Sequence, residues 1–306
     1  MKLTVENLND LCIIAKTAAL EAGKYIADSV SKNINPIHKD GGSSAASQVV
    51  TDVDYKSQEI ILVHLNKTLA DYDLALLTEE TPDNGSRLEK DYFWCVDPLD
   101  GTLPFVEAVP GYAVSIGLVS KDGIAQIGIV YDPVEDTLYH GVKGGGAFKN
   151  GNPWQVTKEA DKERDKDEFT FITSRSFLEQ PRYHACIETL TSLIKAEDNT
   201  KLNIIHTQGA VMNALSVWNK APGIYFKLPK PELGGGSLWD FAATACIMEE
   251  TGAFISDIYG NPLNLNQAHS LFMNERGIIY APDKIWQEKI IKLAKNFTKK
   301  ETGSQE

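Results

Sequence analysis

The strongest constraint on this chain is the apolar run Tyr92-Phe93-Trp94-Cys95-Val96, which ends abruptly in Asp97-Pro98-Leu99-Asp100-Gly101-Thr102. A run this apolar reads as a buried strand that delivers acids to its end. Pro98 fixes φ between the two aspartates, and Gly101 lets main-chain N–H groups approach a ligand closely. Oxygen ligands placed this way suit a hard cation such as Mg²⁺, which also accepts a backbone carbonyl like that of Leu99. A plain surface turn fits the hexapeptide equally well, because Asp, Pro and Gly are the commonest turn formers.

Three further acidic motifs weigh against a plain turn. Thr78-Glu79-Glu80 closes the apolar run from Leu74 to Leu77, Trp239-Asp240 heads an Ala-rich segment, and Val50-Thr51-Asp52-Val53-Asp54 adds a fourth acidic site. With Glu79-Glu80, then Asp97 to Thr102, then Trp239-Asp240-Phe241-Ala242-Ala243, the chain resembles the inositol monophosphatase superfamily of metal-dependent phosphomonoesterases over nearly its whole length. The resemblance implies an α/β (α+β layered) fold, an alternating αβαβα sandwich of the inositol monophosphatase and fructose-1,6-bisphosphatase type.

Composition bounds the function. A net charge of −12 over 306 residues argues against a nucleic-acid polymer as partner, since backbone phosphates would be repelled. A small anion remains admissible where bound metal reverses the sign locally. No run of about 18 apolar residues and no basic-then-apolar start are present, so the expectation is a cytoplasmic protein without membrane contact. Cys12, Cys95, Cys186 and Cys246 lie in apolar segments without CxxC spacing, which predicts reduced core residues. The six histidines share no metal-site spacing and none is assigned to catalysis.

Along the chain, Leu8, Leu11, Cys12, Ala15, Ala18, Ala19, Ala22, Tyr25 and Ile26 recur at helical spacing behind Thr4 and Asn7 as caps. Residues 35–48 form a polar stretch that reads either as a plain connector or as a flap over a site. The resemblance favours the flap, with Lys39 as its lysine. A helix follows from Asp54 to Leu65, then two carboxylate-bearing strands ending at Glu79 and Asp97. From Tyr112 to Phe148, strand-like runs alternate with tight turns, which predicts an antiparallel meander. Gly144 to Gly146 are read as structural, and Asn150-Gly151 as a hairpin turn.

The mixed charges of 158–168 read as a solvated connector. The expected division is an N-terminal α+β domain, 1–155, with most metal ligands, a C-terminal α/β domain, 156–298, with Asp240 and the substrate contacts, and a disordered tail, 299–306. The second half alternates β and α, with strands at 169–173, 202–205 and 224–228, and helices after Pro181, from Gly209 to Trp218 and from Leu238 to Thr251. Phe241, Ala242, Ala245 and Met248 are the expected apolar face of that last helix. An acid in a helix's first turn, as Asp240 is, serves most often as a cap. Ser174-Arg175-Ser176 and Thr207-Gln208-Gly209 stand at strand ends and helix starts, where α/β proteins bind ligands.

If Glu79, Asp97, Asp100 and Asp240 converge, each like-charge pair at about 4 Å costs roughly 4 kcal/mol at an effective dielectric near 20, and cations resolve that cost. By resemblance, Glu79, Asp97 and the Leu99 carbonyl hold one Mg²⁺, and Asp97, Asp100 and Asp240 hold a second. Glu80 then supports the site from behind or holds a weaker third ion. Thr102 paired with Asp54 orients the attacking water, and the N–H groups of Gly101 and Thr102 receive phosphate oxygens if a helix begins there. The resemblance also implies inhibition by Li⁺.

The expected partner is a small phosphorylated metabolite, and the candidate assembly is a homodimer. Family members that act on adenosine 3′,5′-bisphosphate share a Ser-Arg-Ser and a Gly-x-Pro-Leu, here Ser174-Arg175-Ser176 and Gly260-Asn261-Pro262-Leu263. These favour a 3′(2′),5′-bisphosphate nucleotidase, with Lys39, Ser174, Arg175, Gly209, Lys227 and Lys230 as substrate contacts and Trp218 or Tyr225 beside the base. Ala113 to Gly117 looks more like the inositol monophosphatases, which is the alternative. Leu103-Pro104-Phe105 departs from both branches, and no acid precedes Trp239. A metal-dependent binder without turnover is the reading from another class. It would have no need of both Asp54 and Thr102.

Overall fold

The computed structural model describes residues 2–30, 37–38, 49–155, 168–198, 201–220 and 222–298. Helix α1 (Val5–Ala27) follows the expected apolar spacing, and Thr4 and Asn7 cap it reciprocally, at 3.2 and 3.0 Å. Such a cap satisfies amides that a helix start leaves without partners. Helix α2 (Asp52–Asp71) begins before Asp54 and runs beyond Leu65. Ile37–His38 (β1) and Val49–Val50 (β2) pair antiparallel within the polar stretch. Lys39, the 299–306 tail and the charged segment up to 167 lie outside the described residues, and Glu168 opens the next strand.

The first sheet has seven strands in chain order: β3 (Ala75–Thr78), β4 (Tyr92–Asp100), β5 (Ala113–Ser120), β6 (Ala125–Asp132), β7 (Thr137–Val142), β8 (Gly146–Lys149) and β9 (Asn152–Pro153). Only β3 and β4 run parallel, so the expected meander is present. Asn150 (φ +48°) and Gly151 (φ +76°) turn β8 into β9, as the Asn-Gly signal predicts. The amides of Gly144 and Gly146 donate to the Glu250 carboxylate at 2.7 and 2.8 Å, a structural role.

The second sheet contains β10 (Glu168–Ile172), β11 (Lys201–Ile205), β12 (Gly223–Lys227), β13 (Phe254–Ser256) and β14 (Ile278–Ala281), in the order β11-β10-β12-β14-β13. Its first three strands are parallel, and β14 runs antiparallel to both its neighbours. The expected β/α alternation thus holds through β12. Strands as short as β13 and β14 carry too few residues for a periodic signal.

The helices are α3 (Thr102–Val106), α4 (Arg175–Leu178), α5 (Tyr183–Asp198), α6 (Ala210–Asn219), α7 (Leu238–Thr251) and α8 (Lys284–Thr298). Helices α1 and α2 cover one face of the first sheet, α6 and α7 lie between the sheets, and α5 and α8 cover the far face of the second. The layers therefore run αβαβα, as expected. Helix α7 differs from its expected one-sided burial: Leu238, every residue from Phe241 to Met248, and Thr251 are buried. Packed between two sheets, the helix is buried all round from Phe241 to Met248 and meets solvent only toward its ends, which accounts for its Ala-rich sequence. The four cysteines are free and buried, and no helix among the described residues is long and apolar enough to cross a membrane.

Candidate metal centre

Register brings the acids together. Strand β3 pairs in parallel with β4 through Thr78 and Val96, and the Glu79 amide donates to the Val96 carbonyl at 3.1 Å, so Glu79 stands beside Asp97. The strand carrying Asp97 does not end there, contrary to expectation. It continues to Asp100 through a bulge, with Asp97 opposite Ser115 and Asp100 opposite Ala113. A bulge tolerates Pro98 and redirects the side chains that flank it. The Pro98 carbonyl accepts from Ser57 Oγ of α2 at 2.7 Å, which ties the bulge to the helix behind it.

Asp240 arrives from the opposite layer. It is the third residue of α7 and accepts from the Ser237 amide at 3.0 Å, closing a capping box with Ser237. Each of Asp97, Asp100 and Asp240 places a carboxylate oxygen within 4.8 Å of the others. The carboxyl groups of Glu79 and Asp240 stand within hydrogen-bonding reach of Asp97. Burial, followed by the charges of Glu79, Asp100 and Asp240, pushes Asp97 well above the usual carboxylate range. Asp100 is pushed up to about 8 by burial and then by Asp240, and Asp240 is raised by burial. The amides of Ala210 and Val211, at the start of α6, donate to Asp100 Oδ1 and Oδ2 at 3.0 and 2.9 Å and partly offset its rise. Buried carboxylates crowded in this way call for a cation, and an all-oxygen donor set fits Mg²⁺.

Asp54 and Thr102 meet beside this cluster. Asp54 Oδ2 accepts from the Thr51 amide and hydroxyl at 2.8 and 2.6 Å, while Oδ1 accepts from Thr102 Oγ1 at 3.0 Å. Thr102 Oγ1 also lies 3.3 Å from the Leu99 carbonyl oxygen. Burial pushes Asp54 up to about 6, against the Thr51 bonds, and Glu80 adds a nearby negative charge. A short helix, α3, does begin at Thr102, with Gly101 at φ +83° before it. The supporting roles of Thr51 and Ser237 had a visible signal: each stands three residues before an aspartate at a helix start, the spacing of a capping box.

The expected substrate residues fall on separate elements: Gly209 before α6, Ser174 and Arg175 at the start of α4, and Lys227 at the end of β12. Gly209 packs against Asp100 and Gly101. Ser174 precedes α4, with its Oγ 3.1 Å from Ser176 Oγ. The Arg175 guanidinium is gripped by both Glu107 oxygens, at 2.6 and 2.5 Å. Tyr225 and Trp218 are core residues, 0 % and 9 % exposed, and not the border of a base pocket; α6 and β12 are covered by neighbouring layers. Lys227, by contrast, is partly buried within electrostatic reach of Asp240 and Asp100. Burial holds its ammonium below the usual lysine range, against the pull of those two acids.

The chain matches the inositol monophosphatase family over residues 7–299. It is 27 % identical over 284 residues to inositol monophosphatase 1 of Sus scrofa, covering 91 % of each chain. It is also 27 % identical over 288 residues to the Nus factor SuhB of Haemophilus influenzae, covering 94 % of this chain and 96 % of that one. The fold is similar to that of the Thermotoga maritima IMPase, with a TM-score of 0.70 at 21 % identity, covering 95 % of this chain and 98 % of the other. With the match running from α1 through α8 and across every carboxylate of the cluster, the chain belongs to the inositol monophosphatase family.

Proposed function

We propose that the protein hydrolyses the phosphate monoester of a small metabolite, with adenosine 3′,5′-bisphosphate as the preferred substrate and an inositol phosphate as the second choice. The coarse activity follows from membership: the chain is a phosphoric monoester hydrolase that uses Mg²⁺. The observation that carries the site assignment is the convergence of Asp97, Asp100 and Asp240. Glu79, Asp97 and the Leu99 carbonyl would hold one ion, and Asp97, Asp100 and Asp240 a second, with Asp97 shared. Glu80, near Asp54, would support them electrostatically. When bound, Mg²⁺ supplies the positive charge that stabilises the phosphoryl and leaving oxygens.

The chain's own residues handle the water. A Thr102 hydroxyl whose proton is directed to Asp54 turns its lone pairs outward. It then accepts a hydrogen bond from the attacking water and aims the water's oxygen at phosphorus. Asp54, held by Thr51, fixes that hydroxyl and stabilises positive charge developing on the water. The Gly101 and Thr102 amides would receive phosphate oxygens.

The bisphosphate preference is supported by Ser174-Arg175-Ser176, Gly260 to Leu263 and the cationic Lys227 beside the cluster. The inositol choice is supported by Ala113 to Gly117 and by the names of the relatives. Phosphate release from each substrate with Mg²⁺ tests both points. A higher kcat/KM on inositol 1-phosphate reverses the preference, and no release from either removes the activity and leaves a metabolite binder. Inhibition by Li⁺ belongs to the same proposal.

A further inference from the structure

One face of α2 reaches three segments that carry the acidic centre. Asp54, Ser57 and Gln58 stand at i, i+3 and i+4, so their side chains emerge together. Asp54 Oδ1 accepts from Thr102 Oγ1 at 3.0 Å, Ser57 Oγ donates to the Pro98 carbonyl at 2.7 Å, and Gln58 Nε2 donates to Thr81 Oγ1 at 3.0 Å. Each contact lands within two residues of an acid of the centre: Thr102 after Asp100, Pro98 after Asp97 and Thr81 after Glu79.

The third contact holds a turn that little else fixes. Thr78 and Thr81 face each other in an isolated antiparallel bridge, with Glu79 and Glu80 at the tip between them. The entering limb belongs to β3 and is paired with β4, and the Glu79 amide donates to the Val96 carbonyl at 3.1 Å. The leaving limb runs from Thr81, which is exposed, into an irregular stretch, and Gln58 ties it to α2. Gln58 is 8 % exposed, and among the described residues its Oε1 is buried without a partner. Packing alone would be met better by Met, which fills similar space and leaves no buried oxygen unpaired. The bond to Thr81 is what calls for an amide. The charge of Glu79 also repels that of Asp97, which drives the turn outward. A neutral amide resists that movement without bringing a positive charge that would compete with Mg²⁺.

We propose that Gln58 is a positioning residue for the metal centre: its bond to Thr81 holds the Glu79-Glu80 turn so that Glu79 reaches the cation it shares with Asp97. This role rests on Glu79 being a ligand, as assigned above. It is tested by calorimetric Mg²⁺ titration of the wild type, Gln58→Met, Thr81→Val, Thr81→Ser, the Gln58→Met/Thr81→Val double variant and Glu79→Gln, with urea unfolding alongside. Gln58→Met and Thr81→Val should each weaken Mg²⁺ binding about tenfold, the lower end of the loss for a group that supports a metal ligand. The double variant should lose no more than either single one, and Thr81→Ser, which keeps the hydroxyl, should bind Mg²⁺ as the wild type does. In phosphate release, Gln58→Met should need about tenfold more Mg²⁺ for half its maximal rate and recover kcat when Mg²⁺ saturates. A merely structural amide would shift unfolding and leave the Mg²⁺ dependence alone. Unchanged affinity in Gln58→Met and Thr81→Val beside weaker binding in Glu79→Gln, or additive losses in the double variant, overturns the proposal. Unchanged affinity in Glu79→Gln removes the ligand assignment itself, and the role of Gln58 with it. If Gln58→Met does not fold, Thr81→Val and Thr81→Ser at the exposed end of the bond decide the matter.

Discussion

The α-carbon of Gly209 rests against the carboxylate of Asp100. A Cβ at position 209 would overlap Asp100 Oδ2 and come within 2.8 Å of Gly101 Cα. That closeness lets the amides of Ala210 and Val211 grip both oxygens of Asp100 from 110 and 111 residues away in sequence. The partial positive charge at the start of α6 holds the acid in place. Gly209→Ala is therefore expected to destabilise the protein by about 1–3 kcal/mol, as overpacking does, and to weaken Mg²⁺ binding. Urea unfolding and calorimetric Mg²⁺ titration measure the two effects, and an unchanged Mg²⁺ affinity would show that this contact does not position Asp100.

Asp97→Asn and Asp240→Asn are each expected to abolish phosphate release while leaving the circular dichroism spectrum intact. Each removes a charge from a cluster that repels itself without metal, so the metal-free melting temperature should hold or rise. Full activity in excess chelator would refute the metal assignment.

Thr102→Ala and Asp54→Asn should bind Mg²⁺ much as the wild type does and lower kcat by roughly 10²-fold or more, the range for losing a group that handles a proton. A change confined to KM would mean that the pair binds substrate and does not orient water.

The metal-free protein should lose stability as pH rises. Burial and mutual repulsion raise Asp97, Asp100 and Asp240 above their unfolded values, with Asp100 reaching about 8. The folded state therefore binds more protons than the unfolded chain above about pH 4, and the slope of stability against pH is negative up to about pH 8. Melting temperatures recorded from pH 5 to 8 should fall without metal, and the increase produced by Mg²⁺ should be largest at pH 8. A metal-free melting temperature that rises across this window would contradict the burial of an unneutralised cluster.

Much of the architecture was legible because local rules dominate there. The Thr4 cap, the meander after Tyr112, the Asn150-Gly151 turn and the end of α7 at Gly252 each depend on residues within a few positions of one another. The carboxylates were legible as motifs for the same reason: Glu79 and Asp97 stand where an apolar run stops, and Asp240 stands where one starts. Periodicity, however, could not show that α7 is buried all round, since an Ala-rich helix reads alike against one sheet or between two.

By itself the sequence determined which residue types could meet a hard cation, the order of their motifs and the strands and helices that carry them. Tertiary structure decided which oxygens actually meet. The bulge between Asp97 and Asp100, the parallel register that sets Glu79 beside Asp97, and the anchoring of Asp100 by α6 all depend on pairing between distant segments. It also decided the cations: Arg175 is occupied by Glu107, while Lys227 stands by the cluster. Side-chain type states what a residue can bind, but distance and desolvation set which partner it meets, and both arise only when the layers pack.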